Sequence, residues 1–367
     1  MARLKYFLLV LLFSPWSYGQ SLKTPNISAN ALFLYQNSDF AKEDTSTQRN
    51  GMDIQEAELA FYADVDPYSR LTMLLSIHPD YELVSGKVVE SWQMEPEELY
   101  SELTQIPGIN VKIGKFYAAF GKHNLLHTHA YPFVDAPLAN TALLGDEGLN
   151  DVGVSVAGLL PTNWFSEVTL QYLRGEGDNA EFDSPTPGDG VGLAHWKNLM
   201  DLSEDLTFEV GVSYAAGTNS LAQQTALDGA DLTFKWRPAD GGRYHSWIFG
   251  TEYIERHVGQ PGTQDEKGQG TTVWGQYQFA ERWAGLLRYE NLKVQNAANA
   301  NVNPNALPND TTNKYCASLV FNASEFSSYR LEYDFTHGPE NAQGLSNDHK
   351  LYVQANFTIG SHPAHAY

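Results

Sequence analysis

Apolar and polar residues alternate along most of this chain. The clearest case runs from Ser328 to Thr336, where Tyr329, Leu331, Tyr333 and Phe335 alternate with Arg330, Glu332, Asp334 and Thr336. Successive side chains of a strand point to opposite faces, so this period of two predicts a strand with one apolar and one polar face. The same pattern marks 53–66 and 348–359.

About sixteen stretches show this alternation, most of them near the ~9 to 11 residues with which a tilted strand crosses a bilayer. The predicted strands lie at 28–37, 53–66, 69–80, 92–104, 109–119, 151–160, 163–175, 190–202, 205–216, 227–237, 243–255, 270–280, 283–293, 311–322, 327–337 and 348–359. Aromatic residues such as Trp164, Trp236 and Trp283 lie near strand ends, as in the aromatic girdles of transmembrane barrels. A soluble β-sandwich also alternates, but its strands have about 5 or 6 residues. The pattern therefore favours the membrane barrel.

The connections between these strands alternate in length. Short turns lie at 66–68, 106–108, 160–163, 203–205, 238–242, 280–282 and 322–326. Long polar loops lie near 38–52, 81–91, 120–150, 176–189, 217–226, 256–269, 294–310 and 338–347. Outer-membrane barrels have short periplasmic turns and long external loops. We therefore predict an all-β fold, a transmembrane antiparallel β-barrel of about sixteen strands in the bacterial outer membrane.

The loop at 120–150 differs from the others in length and composition. Its roughly thirty residues far exceed the usual connection of ~4 to 6 residues. It carries apolar side chains that need a surface to pack on, which argues against disorder. We expect it to fold into the bore as a constriction loop, with four residues anchoring it on the inner wall: Leu125, Tyr131, Phe133 and Leu138.

The first residues and the net charge limit where the protein works and which partners it has. Residues 1–19 combine a basic start, an apolar run and a small-residue cleavage site, which predicts a secretory signal peptide. A single barrel domain is then expected over 20–367, with a periplasmic tail at 361–367. The chain has 44 acidic and 23 basic residues and a net charge of -21. This balance argues against a nucleic-acid partner and for tolerance of cations.

A short motif connects the chain to a known family. The fifth predicted strand and its exit carry Gly114-Lys115-Phe116 followed by Phe120-Gly121. This motif resembles the G-K-F-x-x-x-F-G segment of the phosphate-selective porins of the O and P type. The stretch that follows resembles outer-membrane proteins labelled zinc-regulated TonB-dependent receptors, through Asn124, His127, His129, Pro132, Phe133, Asp135, Pro137 and 145–149. The resemblance implies a sixteen-stranded barrel, commonly a homotrimer, with the third long loop folded inward.

Charged residues on the polar faces and in this loop are the expected lining of the pore and constriction: Glu56, Glu58, Asp64, Glu102, Lys112, Lys122, Asp135, Arg288, Glu290, Arg330, Glu332 and Asp334. Phosphate-selective porins line their pore with Arg and Lys, whereas the 120–150 loop has one such residue, Lys122, against three acidic ones. Carboxylate-rich pores favour cations, so we expect cation preference rather than phosphate selectivity. These charges would also keep the bore wet and pair across strands.

Three histidines in the loop, His123, His127 and His129, have metal-ligand character together with Asp135. Neutral imidazole and carboxylate suit zinc, and an x-His-x-His pair puts two rings on one side of an extended segment. The alternative is that these histidines hydrogen-bond the loop to the inner wall or lie solvated in the bore. No HExxH spacing sharpens the zinc assignment, so a barrel with no cofactor and a barrel with zinc both stay open.

Two functions fit these observations. One is a porin-like channel in contact with outer-membrane lipid, for passive diffusion of small hydrophilic solutes or ions. The other is a surface-binding or divalent-metal (zinc) uptake-associated barrel whose bore is closed by the 120–150 loop. An energy-coupled receptor would have about 22 strands and a plug. We expect no enzyme, because the nearest nucleophile candidate, His245-Ser246, has no identifiable third partner.

Overall fold

A computed structural model of the chain describes residues 25–43, 50–85, 87–103, 105–175, 182–262, 265–295, 309–341 and 344–360. The predicted signal peptide at 1–19 and the predicted tail at 361–367 lie outside these residues. Within the described part, sixteen strands form a closed antiparallel barrel in which each strand pairs with its neighbours in the chain. The predicted sixteen-stranded barrel is confirmed.

The strands are β1 (Asn26–Ser38), β2 (Gly51–Asp64), β3 (Ser69–Val84), β4 (Lys87–Leu103), β5 (Ile109–Tyr117), β6 (Asn150–Leu159), β7 (Phe165–Leu173), β8 (Val191–Asp201), β9 (Leu206–Thr218), β10 (Gln224–Trp236), β11 (Ser246–Val258), β12 (Glu266–Ala280), β13 (Trp283–Gln295), β14 (Asn309–Ser324), β15 (Ser327–His337) and β16 (Asn347–Gly360). The helical elements are α1 (Phe40–Glu43), α2 (Leu138–Leu144) and 3-10 turns at His123–Leu125 and Thr128–Ala130. Among the described residues, no helix has the length and apolar character needed to span a bilayer.

The barrel closes between its first and last strands. β16 pairs with β1, with Phe357 opposite Ala31 and Leu351 opposite Asn37. Closure leaves no strand with a free edge, which a membrane wall requires because lipid cannot hydrogen-bond unpaired backbone groups.

The two faces of the wall differ as the alternation predicts. On β15, Leu331 and Tyr333 are exposed on the outer surface, whereas Glu332 and Asp334 are fully buried on the inner side. Exposed apolar side chains continue around the barrel, including Val152, Val154, Leu170, Tyr214, Leu287, Leu319 and Val353. An outer surface of this kind suits lipid rather than water.

Two of the predicted long loops are wrong. β3 and β4 extend until only two residues separate them, so 81–91 is the end of a hairpin. β9 and β10 likewise leave only 219–223 between them. The polar residues at the end of β3 were predicted to be a loop, but they continue the strand because they pair with neighbouring strands. Tyr81 pairs with Glu90 of β4, and its hydroxyl donates a hydrogen bond to Asp53 of β2 at 2.6 Å.

Candidate functional site

The longest connection described, residues 118–149, joins β5 to β6 and is called here the β5–β6 segment. Its most buried side chains have an exposed fraction of 0%: Ala118, Phe120, Phe133, Leu143 and Leu144. Its hydrogen bonds reach β2, β4, β9, β11, β13, β14 and β15, which are spread around the barrel. The segment is therefore attached to many strands besides the two that it connects.

The start of the segment is held by Glu252 of β11. One carboxylate oxygen of Glu252 accepts hydrogen bonds from the backbone N–H of Lys122 (2.7 Å) and of His123 (3.3 Å). The other oxygen lies 2.5 Å from Nδ1 of His123. Gly121 makes this approach possible, since it has a φ of +61° and a Cβ there would lie 2.0 Å from the carboxylate. His123 thus binds the wall.

Helix α2 packs on β11, β12 and β13 at a place where two residues of β12 are glycines. A Cβ at Gly268 would lie 2.4 Å from Leu143, and a Cβ at Gly270 would lie 2.4 Å from Ala139. The C-terminal end of the helix accepts a hydrogen bond from Arg256 at 3.0 Å. The two glycines therefore form the shallow surface on which the helix rests.

A second attachment centres on Asp135. Its carboxylate lies 2.7 Å from Nη2 of Arg288 and 2.5 Å from Nζ of Lys314. Arg288 also contacts Glu290 at 3.2 Å, and Lys314 contacts Asp334 at 2.8 Å. Desolvation disfavours the charged form of Asp135, but Lys314 and Arg288 outweigh it and hold the pKa of this carboxyl well below its ordinary value.

The apolar anchors of the segment are mostly those predicted. Tyr131, Phe133 and Leu138 pack against the wall. Leu125 is wrong as an anchor, because it is 39% exposed while its neighbour Leu126 is 3% exposed. Leu125 ends a 3-10 turn, in which successive side chains point in different directions. The turn therefore directs the following residue, rather than Leu125, to the wall.

Two imidazoles and four carboxylates meet where the segment contacts β2 and β4: His127, His129, Glu56, Glu58, Glu97 and Glu98. Nδ1 of His127 lies 3.0 Å from Glu97 and 3.3 Å from Glu58, and its Nε2 lies 3.4 Å from Glu98. Nδ1 of His129 lies 3.5 Å from Glu58. Burial opposes the charged form of His127, but hydrogen bonds to Glu97 and Glu98 raise its pKa well above the ordinary value. We call these six residues the histidine–carboxylate cluster.

Two β-bulges supply wall residues to the segment. Glu97 and Glu98 are adjacent, so a regular strand would point them to opposite faces. The register of β4 with β3 skips Glu97, which lets both carboxylates reach His127. The register of β2 with β1 likewise skips Gln55, whose side chain donates to the carbonyl oxygen of Val134 at 2.9 Å.

The predicted metal-binding set is not brought together as expected. Asp135 lies between the basic residues of β13 and β14, and His123 lies on Glu252. Only His127 and His129 share a cluster, with ring centroids 5.9 Å apart. Glu97, Glu98, Glu252 and Lys314 are contacts that the sequence did not single out. One feature of the sequence could have indicated Glu97 and Glu98. They follow Pro96 inside a predicted strand, and proline within a sheet marks an edge or a bulge.

The remaining predicted pore-lining charges lie at several levels of the wall. Asp64 pairs with Arg70 at 3.1 Å and Glu102 with Lys112 at 3.8 Å, both near the turns of the rim opposite the segment. Three others take part in contacts between the segment and the wall. Lys122 of the segment pairs with Glu209 of β9 at 2.6 Å. Glu332 accepts a hydrogen bond from the backbone N–H of Val134 at 3.2 Å, and Arg330 donates one to the carbonyl oxygen of Tyr131 at 3.1 Å.

A cavity of about 320 Å³ lies between the segment and strands β2, β3 and β4. Four carboxylates line it, those of Glu56, Glu97, Asp146 and Glu147. Among the described residues that line the cavity there is no Lys or Arg. The open space beside the segment is therefore acidic.

A closed sixteen-stranded antiparallel barrel with an apolar outer surface defines the chain as a bacterial outer-membrane β-barrel. Solved structures of outer-membrane proteins share this fold. OmpF of Salmonella typhi, in complex with daunomycin, aligns with a TM-score of 0.59 and 12% identity over 91% of this chain and 97% of that one. OmpT of Vibrio cholerae in its trimer form aligns with a TM-score of 0.58 and 10% identity, over 92% of this chain and 99% of that one. The outer membrane channel DcaP of Acinetobacter baumannii aligns with a TM-score of 0.54 and 12% identity, over 91% of this chain and 96% of that one.

No family model matches the chain. It is 29% identical over 353 residues to an uncharacterized protein of Aquifex aeolicus (strain VF5), spanning 87% of this chain and 71% of that protein. The similarities to solved structures concern the fold alone.

Proposed function

We propose that this protein is a porin-like channel through which small hydrophilic solutes or ions diffuse across the outer membrane, with a preference for cations. In this proposal the β5–β6 segment lies within the bore and narrows the path to the cavity beside β2, β3 and β4. The acidic lining of that cavity carries the proposal, because a passage lined by carboxylates attracts cations and repels anions.

Three further points support a channel. The segment makes contacts with strands spread around the barrel, as a constriction inside the bore would. Sixteen-stranded barrels are also wide enough to enclose water when side chains do not fill them. DcaP, which has a similar fold, is described as an outer membrane channel.

Planar-bilayer recording tests this function. The purified barrel should give stepwise conductance, and its reversal potential in a KCl gradient should indicate preference for potassium. Glu147→Gln removes a carboxylate from the cavity lining and should reduce that preference. Asp240→Asn, on an exposed turn of the opposite rim, removes the same charge and should change it little. Chloride preference in the unmodified protein would contradict the proposed lining.

A binding barrel with a closed bore is the second candidate. It is favoured by the burial of the segment and by its separate attachments at Glu252, Asp135 and the histidine–carboxylate cluster. This candidate predicts bilayers that stay silent although the barrel is folded and inserted.

A homotrimer is part of the channel proposal. It is supported by the trimer form of OmpT, a protein of similar fold, and by the apolar outer surface of β13 and β14, where Leu287 is 69% exposed. Analytical ultracentrifugation in detergent should give three times the mass of one chain, and the mass of a single chain would contradict it.

A further inference from the structure

The histidine–carboxylate cluster concentrates negative charge in a buried place. Glu58 is 1% exposed, and Glu97 and Glu56 are 6% and 8% exposed. Four carboxylates share this volume with two imidazoles. Burying like charges together costs free energy unless opposite charge compensates them. A divalent cation would supply two positive charges at the centre of the cluster.

The distances between Nδ1 of His127 and its two nearest carboxylates suit a small tetrahedral ion. Two ligand atoms bound at 2.0–2.2 Å to a tetrahedral zinc ion are about 3.3 to 3.6 Å apart. Nδ1 of His127 lies 3.0 Å from Glu97 and 3.3 Å from Glu58. His127, Glu58 and Glu97 each offer one ligand atom, and these three atoms all lie within 4.8 Å of one another. His129 contacts Glu58 at 3.5 Å and lies beside this set.

The two nitrogens of His127 face different partners. One N–H at Nδ1 can point at only one carboxylate, whereas an ion bound to Nδ1 would contact both Glu58 and Glu97. Nε2 on the other side of the ring lies 3.4 Å from Glu98. A metal-bound histidine that donates its second N–H to a carboxylate is the usual arrangement around protein zinc sites.

We propose that His127, Glu58 and Glu97 bind one divalent transition-metal ion of the zinc class, with water as the fourth ligand, and that this ion fastens the β5–β6 segment to β2 and β4. An imidazole in the set favours zinc-like ions over magnesium or calcium, which prefer oxygen ligands alone. The ion can enter from solution, because Glu97 and Thr128 also line the acidic cavity. The site does not depend on whether the barrel conducts.

Isothermal titration with ZnCl₂ tests the proposal on the full barrel, purified without a polyhistidine tag and stripped with EDTA. We expect one zinc ion per chain. The variant His127→Gln should bind roughly 100-fold more weakly, since it removes the nitrogen ligand of the site. His195→Gln is the matched control, because His195 is a buried wall histidine bonded to Ser213 at 2.8 Å and lies outside the cluster. It should bind like the unmodified chain.

Cobalt provides a measurement that needs no variant. Co²⁺ bound to the unmodified barrel should give the visible absorption of a tetrahedral site with nitrogen and oxygen ligands, and zinc should displace it while equimolar magnesium should not. Absence of zinc binding by the unmodified barrel would overturn the proposal. So would undiminished binding by a His127→Gln variant that still migrates as a folded, heat-modifiable barrel, since the ion would then lie elsewhere.

Discussion

Asp135 joins the segment to the wall through its charge, between Arg288 and Lys314. Its pKa is held below the ordinary value of ~3.9 by these two basic residues, against the opposing effect of desolvation. A carboxyl group whose pKa is lower in the folded state contributes stability that is fully present above the unfolded pKa. That contribution is lost as the pH falls through the folded value. Acid should therefore weaken this attachment.

Asp135→Asn tests this dependence. The variant should be less stable than the unmodified barrel at pH 7, because the neutral amide no longer offsets the charges of Arg288 and Lys314. The difference should shrink by pH 3, where part of the carboxylate's contribution is already lost. Urea unfolding in detergent micelles at both pH values measures it. Asp146→Asn, an exposed carboxylate of the same segment, is the control; a difference that is equal at pH 7 and pH 3 would contradict the assignment.

At the scale of single residues, alternation predicted well where strands are regular. Arg288, Glu290 and Glu332 were assigned to polar faces, and all three are buried on the inner side of the wall. Glu97 and Glu98 were missed because a bulge breaks the period of two. The pairing of Asp135 with Lys314 joins residues 179 positions apart. No spacing rule within the loop reveals such a partner.

At the scale of elements, Phe133 is the buried aromatic side chain that holds the middle of the β5–β6 segment. Phe133 is 0% exposed. Its ring centroid lies 6.0 Å from that of Trp274 and 4.2 Å from the guanidinium of Arg288. A cation over an aromatic face adds attraction to the apolar contact. Phe133 therefore fixes the middle of the segment on β12 and β13.

Phe133→Ala should release the segment. Truncating a buried Phe typically costs about 3–5 kcal/mol, and Phe133 is the fully buried side chain through which the middle of the segment packs against Trp274 and Leu286. Leu125→Ala is the matched control from the same segment, because Leu125 is 39% exposed and should be tolerated. Proteinase K digestion of folded barrels measures the effect: rapid cleavage within 118–149 is expected only for the Phe133 variant. Equal cleavage of both variants would mean that Phe133 does not fix the segment.

The position and length of the segment could be predicted from the sequence, and its internal structure could not. The loss of alternation after Gly121 and its return at Val152 bounded it closely. Helix α2 has seven residues, too few for a periodic signal. Its resting place on Gly268 and Gly270 joins residues more than a hundred positions apart, and a glycine in a strand does not indicate which element will pack on it.

At the scale of the whole molecule, strand count and closure followed from alternation together with the lengths of the turns. These signals suffice because a strand in lipid must present one apolar face and pair on both edges. Loop lengths were less predictable, because a strand end that is rich in polar residues has the same composition as a loop. The β3–β4 hairpin is the example, because its register continues from Asp80 opposite Ser91 to Val84 opposite Lys87.

The outward face of β16 provides the last prediction. Val353 lies in the middle of the strand and is 46% exposed, and Ile359 lies near its end and is 70% exposed. A charge facing lipid costs about 2–4 kcal/mol for Arg at the bilayer midplane and about 0–1 kcal/mol near an interface. Val353→Arg should therefore destabilise the barrel in phospholipid vesicles, measured by urea unfolding, far more than Ile359→Arg. Equal effects of the two substitutions would show that the middle of β16 does not face the hydrocarbon core, and the barrel would then sit at a different depth.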